Sequence, residues 1–459
     1  MSNPWHAHSL RQLVLVMLAV LMVAALALTP AMAQRKSIKL VRDAEIEALI
    51  QDYARPLMKA TGLRPGSVDF AIVDDPAFNA FVSGRRMYIN TGLLLQAEEP
   101  GEVIGVVAHE LGHIKGGHQQ RLSERIAQAK RLSGITTLLG IGLGVAGGAT
   151  KNSQLSQAGL GVAGGGSAIA LRSILEYKRD EETSADRAAV EMLRKTGQSG
   201  RGMLRTFKRL SDQVSLIAGR IDPYMQSHPM PRERIRSLSE TLRASPYWQK
   251  SSSSRLKTRH DMVRAKIAAY TGGDRYARAL LAGNQLQPLA KLYGQAIVAH
   301  LFGSPKKALP LIEKATRQAP QNAYLHEMRG EILFRSGKAK EAAKSFQKAV
   351  ALDKTRAGFI RVELGHALLE AGGQANAKRA IVELEKGLAR DPSTTAGYYY
   401  LARAYAMTGD EGRALLASAE LNMRLGKRRE AVVFANRAKQ KFKRGSPPWL
   451  RADDITSIR

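Results

Sequence analysis

Hydrophobic residues in the first part of the chain follow two different periods. Residues 43–61 place apolar side chains at helical spacing, which predicts a helix that covers a core. Residues 67–73 alternate apolar and polar positions, and residues 80–82 and 86–89 are two further strand-like runs, so we expect a small antiparallel sheet. Residues 79–83 are the candidate edge strand. This strand either pairs with an extended peptide or forms an ordinary hairpin that supports the next helix.

From residue 285 onward the pattern is helical throughout. Gly337, Gly372 and Gly409 each precede an alanine-rich helix, at spacings of 372 − 337 = 35 and 409 − 372 = 37 residues. These spacings are close to the period of about 34 residues in tetratricopeptide repeats, whose stacked helix pairs form a concave groove. The polar, serine-rich residues 244–260 precede this region and predict a domain linker.

The N-terminus indicates export from the cytoplasm. An apolar run from Leu13 to Leu28 follows Arg11, and the triplet Ala31-Met32-Ala33 comes shortly after it. This order is typical of a signal peptide that is cleaved after Ala33. A retained anchor is the alternative, but the run is shorter than the roughly 20 residues that a spanning helix needs. We therefore expect a periplasmic protein, either free or in contact with the membrane.

Residues 106–114 combine an apolar, helix-compatible run with the motif His-Glu-Leu-Gly-His. Residues four apart lie on one face of a helix, so His109 and His113 can bind the same metal ion. Glu110 lies about 100° further around the helix axis, where it can take a proton from water without binding the metal. His118 is expected to point elsewhere and to be a surface residue.

A third metal ligand is expected from a second helix over residues 175–195. Glu182 and Asp186 are four residues apart on one face of it. We predict that Glu182 binds the metal and that Asp186 accepts the N–H of a ligand histidine, which fixes its tautomer. Glu181 is the alternative third ligand. The chain has no cysteine, which excludes a thiolate site and leaves histidines and carboxylates as ligands.

Between these two helices lies a glycine-rich, apolar and almost uncharged segment, residues 133–171. Each half is too short to span a bilayer. As a helical hairpin, the segment either inserts shallowly into a membrane surface or covers the active site.

The formal net charge is +30, from 70 lysines and arginines against 40 acidic residues. Such an excess predicts attraction to anionic surfaces, although a generally basic composition is the alternative. Export argues against nucleic acid as the partner. Residues 285–459 carry 31 − 16 = +15 of the excess, which favours an acidic or unfolded protein in the groove of the repeats.

The histidine motif followed by residues 182–187, Glu-Thr-Ser-Ala-Asp-Arg, resembles the zinc peptidases typified by the heat-shock protease HtpX and the prenyl-protein endopeptidase. Residues 79–81, Asn-Ala-Phe, and residues 227–235, Ser-His-Pro-Met-Pro-Arg-Glu-Arg-Ile, also resemble the secreted bacterial branch of this family. The likeness by motif covers roughly residues 40–245, and the helical tail resembles that branch in architecture only.

This resemblance implies a gluzincin-like fold and one zinc ion per chain. Its ligands would be His109, His113 and Glu182, with Glu110 as the general base. His228 would lie near the zinc ion, as a second candidate catalytic residue. There it either occupies the position of the water and silences the enzyme or stabilises the oxyanion.

The expected fold is α+β and mostly helical, with a metalloprotease domain followed by an all-α solenoid. The predicted boundaries are a signal peptide over 1–33, a protease domain over 34–245, a linker and connecting helix over 246–284, repeats over 285–445 and a tail over 446–459. The resemblance implies a zinc metalloendopeptidase that degrades misfolded or misassembled envelope and outer-membrane proteins. Its repeats would contact the outer-membrane assembly machinery. The alternative is a chaperone or assembly scaffold with a latent protease.

Overall fold

The computed structural model of the protein describes residues 38–64, 66–133, 165–216, 228 and 232–458. The predicted signal peptide and residues 134–164 of the predicted apolar hairpin lie outside these ranges. Within the described ranges, no helix is both long enough and apolar enough to cross a membrane.

A mixed four-stranded sheet is formed by the described part of the N-terminal region. Its strands are β1 (Leu40–Val41), β2 (Asp69–Val73), β3 (Ala80–Ser83) and β4 (Arg86–Asn90). The order is β1-β2-β4-β3, so β3 lies at an edge, as expected for residues 79–83. The prediction of an antiparallel sheet is wrong for one pair, because β2 and β4 are parallel. Alternation along a strand determines which side chains share a face, but it does not determine strand direction.

The helices of this region are α1 (Ala44–Thr61), α2 (Thr91–Gln96), α3 (Pro100–Gly116), α4 (His118–Ser133), α5 (Gly165–Lys195), α6 (Arg201–Leu216) and α7 (Arg232–Arg243). Helix α1 is the predicted covering helix. The Asp43 side chain caps it by accepting the Ile46 N–H at 2.9 Å. Gly62 ends it in the left-handed region with a φ of +76°. Its apolar face lies in the same core as β2, β3, β4 and α3.

Helices α3, α5 and α6 approach one another closely at glycines of α3. A Cβ on Gly112 would lie 2.7 Å from the carbonyl oxygen of Ala185 in α5. A Cβ on Gly105 would lie 2.6 Å from the Cα of Met203 in α6. Both distances are shorter than atomic contacts allow, so these helices can meet only where a side chain is absent. The contacts hold the two helices of the predicted metal site side by side.

The C-terminal region is a series of helices in which each packs against the next. These are α8 (Ser254–Thr271), α9 (Gly273–Ala282), α10 (Pro288–Phe302), α11 (Pro305–Gln318), α12 (Ala323–Arg335), α13 (Ala339–Leu352), α14 (Gly358–Glu370), α15 (Gln374–Arg390), α16 (Thr395–Thr408), α17 (Glu411–Arg424), α18 (Arg428–Lys441) and α19 (Pro447–Ser457). Gly337, Gly372 and Gly409 have positive φ and separate consecutive helices, as the repeat pattern predicts.

The linker predicted over residues 244–260 is shorter than expected, because the chain is helical from Ser254 onward. His260 is fully buried, and its Nδ1 lies 2.9 Å from the hydroxyl of Tyr53. Its Nε2 lies 2.8 Å from the carbonyl oxygen of Ala97. The polar composition of residues 244–260 suggested an extended linker. Part of this stretch is instead the start of α8, where the polar side chain of His260 has buried partners.

Buried polar groups join the N-terminal region to the repeats. Lys266 Nζ of α8 lies 2.8 Å from Asp43 Oδ2 and 3.1 Å from Glu45 Oε2 at the start of α1. Arg42 Nη2 lies 2.7 Å from Asp391 Oδ2, between α15 and α16. The two regions therefore contact each other directly, beyond the covalent connection.

Candidate metal centre

Helix α3 presents the histidine motif, and local sequence defines both of its ends. Pro100 occupies the first turn, and Glu99 and Glu102 form a capping box around it. The helix ends at Gly117, whose φ is +63°. His109 and His113 lie one turn apart on the face that meets α5, and His109 is fully buried.

Donor atoms of three residues on α3 and α5 converge at the spacing of a metal site. His109 Nε2 lies 3.1 Å from His113 Nε2 and 3.3 Å from Glu182 Oε2. His113 Nε2 lies 3.5 Å from Glu182 Oε1. Ligands about 2.0–2.1 Å from a tetrahedral zinc ion are about 3.3–3.4 Å from one another, since a tetrahedron's edge is about 1.63 times its centre-to-vertex distance. The donor types and their spacing fit one divalent ion.

His228 lies against the same three residues. Its Nδ1 is 3.3 Å from His109 Nε2 and 2.9 Å from Glu182 Oε1. The ligand atoms of His109, His113, Glu182 and His228 all lie within 4.8 Å of one another, and all four side chains are buried. The Nδ1 of His228 is therefore at the spacing of a fourth ligand.

Glu110 lies beside this group without belonging to it. Its Oε1 is 3.4 Å from His228 Nε2 and, among the described residues, accepts no hydrogen bond of good geometry. Burial raises the pKa of Glu110 above the usual carboxyl value, and the charges of His228 and His109 oppose this rise only in part. A buried carboxylate with an available acceptor atom can take a proton from a molecule that binds next to it.

The carboxylates of Asp186 and Glu182 control the protonation of His109. Burial alone would lower the pKa of His109, but hydrogen bonds to Asp186 and Glu182 raise it to about 9. Burial also acts to raise the pKa of Glu182. The charge of His228 and hydrogen bonds from His109 and His228 nevertheless bring the pKa of Glu182 well below the usual value. A metal ion that binds this group has to displace the proton held by His109.

Much of the chain matches known protein families in sequence. Residues 40–242 match Peptidase family M48. Residues 40–242 are an M48 peptidase domain. Residues 293–357 match the tetratricopeptide repeat, which agrees with the helical repeats that follow the M48 domain. The resemblance drawn from the histidine motif and residues 182–187 is therefore confirmed.

Similarity to individual relatives extends over the M48 domain and the repeats together. The chain is 24% identical over 392 residues to the beta-barrel assembly-enhancing protease of Yersinia pestis, which covers 84% of this chain and 77% of the relative. It is 23% identical over 435 residues to the protein of that name from Escherichia coli strain K12, and the match covers 91% of this chain and 84% of the relative. The metalloprotease YcaL of the same strain is 32% identical over 152 residues, and this match covers 32% of this chain and 52% of YcaL.

Asp186 and Arg234 support the ligands of the M48 domain from behind. His109 Nδ1 donates to Asp186 Oδ1 at 2.9 Å, which leaves Nε2 to face the metal group, as predicted. Arg234 donates to both oxygens of Asp186, at 2.5 and 2.9 Å, and its Nη1 lies 2.8 Å from Glu182 Oε2. Sequence analysis did not assign Arg234 a role, although it belongs to residues 227–235, which carry part of the resemblance.

The prediction that His118 is a surface residue is wrong. The side chain is buried, and its Nδ1 lies 2.9 Å from His113 Nδ1. The prediction assumed that one helix runs through residue 118, whereas α3 ends at Gly117 and α4 begins at His118. Burial lowers the pKa of His118 to about 4, so it is neutral and can orient the ring of His113. The pair Gly116-Gly117 was the sequence signal for this helix end.

The edge strand β3 borders the metal group, as one interpretation of the sequence expected. Phe81 and Val82 line a cavity of about 40 Å³ together with Glu110, His113 and Glu182. Glu181 lies on the same cavity, but Glu182 is the carboxylate that contacts the histidines. Burial raises the pKa of Glu181 to about 7.

Proposed function

We propose that this protein is a zinc-dependent metalloendopeptidase of the bacterial envelope. The observation that carries the proposal is the buried convergence of His109, His113 and Glu182 at tetrahedral ligand spacing, with Glu110 next to them. Two histidines and one glutamate are the protein ligands of hydrolytic zinc sites that keep the fourth position for water or substrate. The donor set of the M48 domain is complete for this purpose.

The chemistry follows from the positions of the side chains. Zinc bound here supplies a Lewis acid that makes water nucleophilic near neutral pH and polarises the scissile carbonyl group. Glu110 takes one proton of the attacking water through Oε1 and later donates it to the leaving nitrogen. The hydroxyl group is added to the carbonyl carbon as the C–N bond breaks. Asp186 and Arg234 keep the ligands in position during these steps.

The position of His228 supports a latent resting form. Its Nδ1 lies at ligand spacing from His109 and Glu182, where it competes with water for the fourth position. We propose that this side chain moves aside when a substrate binds. In the active form it remains near enough to donate a hydrogen bond to the oxyanion.

The substrates we propose are misfolded or misassembled proteins of the envelope, including those of the outer membrane. Two relatives that match most of the chain are named for the assembly of β-barrels. The repeats offer a surface for such clients or for the assembly machinery itself. The predicted signal peptide supports a periplasmic location, where nucleic acid is not a partner.

A second candidate function is a chaperone or assembly scaffold that acts mainly through its repeats. The specific observation in its favour is again His228, because a histidine in the fourth position keeps the protease inactive. In that case the M48 domain would bind zinc without turning substrate over.

One set of variants separates the two functions. Purified wild type, Glu110→Gln and His228→Ala are each mixed with an unfolded outer-membrane protein, and zinc content is measured in parallel. The peptidase proposal predicts that Glu110→Gln keeps zinc but loses cleavage, and that His228→Ala cleaves at least as fast as the wild type. If Glu110→Gln restores growth to a deletion strain as well as the wild type does, the scaffold function is favoured.

A further inference from the structure

Strand β3 does not present a bare edge to the metal group. The Asn90 N–H donates to the carbonyl oxygen of Asn79, and hydrogen-bonded pairs alternate along antiparallel strands, so the backbone groups of Val82 point away from β4. The Gln119 side chain occupies this outer side. Its Nε2 donates to the Val82 carbonyl oxygen, and its Oε1 accepts the Gly84 N–H at 2.7 Å.

A neighbouring strand would make the contact with the Val82 carbonyl oxygen in β3, and the contact with the Gly84 N–H extends this pairing into the turn that follows β3. A carboxamide contains the same N–H donor and carbonyl acceptor as a peptide group. An extended peptide that adds to a sheet edge binds successive outward-facing carbonyl and N–H groups in this way. Gln119 therefore occupies part of the place that such a peptide needs.

The occupied stretch of the edge lies beside the metal group. Gln119 follows His118, which contacts the ligand His113. Gln119 and Val82 line the same small cavity as Glu110. A peptide bound along this edge would therefore bring its backbone next to the group that we propose to cleave it.

We propose that Gln119 imitates the substrate backbone and holds the edge of β3 until an extended peptide displaces it. This inference rests on the proposed endopeptidase function. An incoming peptide has to break both hydrogen bonds of Gln119 before it forms its own, so Gln119 raises KM without affecting the chemical step. It thereby selects for extended, unfolded segments that form enough backbone hydrogen bonds to compete. Gln119 does not reach the reacting atoms and is a positioning residue.

The test compares Gln119→Ala with Gln120→Ala in the zinc-loaded, full-length protein. Gln120 is the next residue of α4, is exposed and bonds only to the exposed Glu124 among the contacts of its side chain that the structure describes. The probe is a quenched fluorescent peptide of alternating threonine and valine residues. Two hydrogen bonds of ordinary strength predict that KM falls about fivefold to tenfold in Gln119→Ala while kcat stays within about twofold. Both constants should stay at the wild-type values in Gln120→Ala.

Binding without cleavage gives a second readout. The same peptide is titrated into Glu110→Gln with and without Gln119→Ala, and Kd should fall by the factor seen in KM. A peptide that is N-methylated at alternate residues cannot pair with the edge strand, so it should lose this gain. Gln119→Glu serves as an isosteric variant if the alanine variant folds poorly. It keeps the acceptor for Gly84 and loses the donor to Val82, so it should lower KM by a smaller factor.

The results discriminate between this inference and the function on which it rests. An unchanged KM and Kd in Gln119→Ala, or an increase in either, would overturn the role of Gln119 as a competitor. An increase would show instead that Gln119 helps to bind the substrate. Failure of the proposed function would be a different result, in which the wild type shows no zinc-dependent cleavage that Glu110→Gln abolishes.

Discussion

Replacing Gly112 by alanine tests whether the close approach of α3 and α5 positions the metal ligands. The added Cβ would lie 2.7 Å from the carbonyl oxygen of Ala185 and 3.0 Å from its Cα. An ordinary contact of this kind is about 3.4 Å, so α5 has to retreat by about 0.7 Å. Ala185 lies in the turn of α5 that carries both Glu182 and Asp186. The retreat therefore moves both carboxylates away from His109.

The size of this shift decides the outcome. Distances between a metal ion and its ligands tolerate deviations of about 0.2 Å, so a movement of about 0.7 Å should weaken zinc binding at least tenfold. Overpacking of this kind should also lower the free energy of unfolding by about 1–3 kcal/mol. Zinc affinity is measured by competition with a chelator, and stability is measured by urea unfolding of the metal-free protein.

The same helix provides a matched control. A Cβ on Gly101 of α3 would lie 3.7 Å from the Cα of Gly202, which is an ordinary contact. Gly101→Ala should therefore keep zinc affinity and lose no stability, and a helical alanine can add up to about 1 kcal/mol. If Gly112→Ala binds zinc as tightly as Gly101→Ala, the distance between α3 and α5 does not position the ligands, and the reasoning is refuted.

Three further predictions concern other side chains. Glu182→Gln should lose zinc while Glu181→Gln retains it, and metal analysis showing full occupancy in both would place the third ligand elsewhere. Asp186→Asn should weaken zinc binding about 10-fold to 100-fold, since it alters the group that orients His109, and an unchanged affinity in chelator competition would contradict this. Burial lowers the pKa of His260 from 6.5 to about 3, so the unfolded chain takes up this proton first as the pH falls. Acidification from pH 7 to pH 4 should therefore cost the wild type about 3 kcal/mol more than His260→Gln in urea unfolding, and equal losses would show that His260 does not contribute.

Much of the metal centre could be predicted from local sequence. The spacing of His109 and His113 on an apolar helix indicates a shared ligand face. Glu182 and Asp186 show the same four-residue spacing on a second helix, and the structure brings both against His109. His118 was misplaced, because one helix ends at the pair Gly116-Gly117 and a new helix begins at His118. Arg234 lies on the amphipathic helix α7, but helical periodicity does not indicate which distant carboxylate its side chain contacts.

The fold, like the metal centre, has features that local sequence predicts and features that only the structure reveals. Hydrophobic periodicity predicted α1, the strands around residues 80–89 and the repeated helices, because each depends on neighbours within a few turns. The pairing of β2 with β4 was not predictable in this way. The direction of β4 relative to β2 depends on where residues 74–79 place β3, because β4 then lies between β2 and β3. A parallel and an antiparallel β4 both satisfy the same alternation of apolar and polar residues.

The sequence alone determined that α1, the two helices of the metal group and the repeated helices form, and that histidines and carboxylates are the available ligands. Periodicity, capping residues and the absence of cysteine act locally, so they can be recognised without a fold. The tertiary structure alone decided that Glu182 and not Glu181 meets the histidines, that His228 completes the group, and that Gln119 occupies the edge of β3. These contacts join residues dozens of positions apart, and their distances depend on how closely the helices pack, which no local pattern specifies.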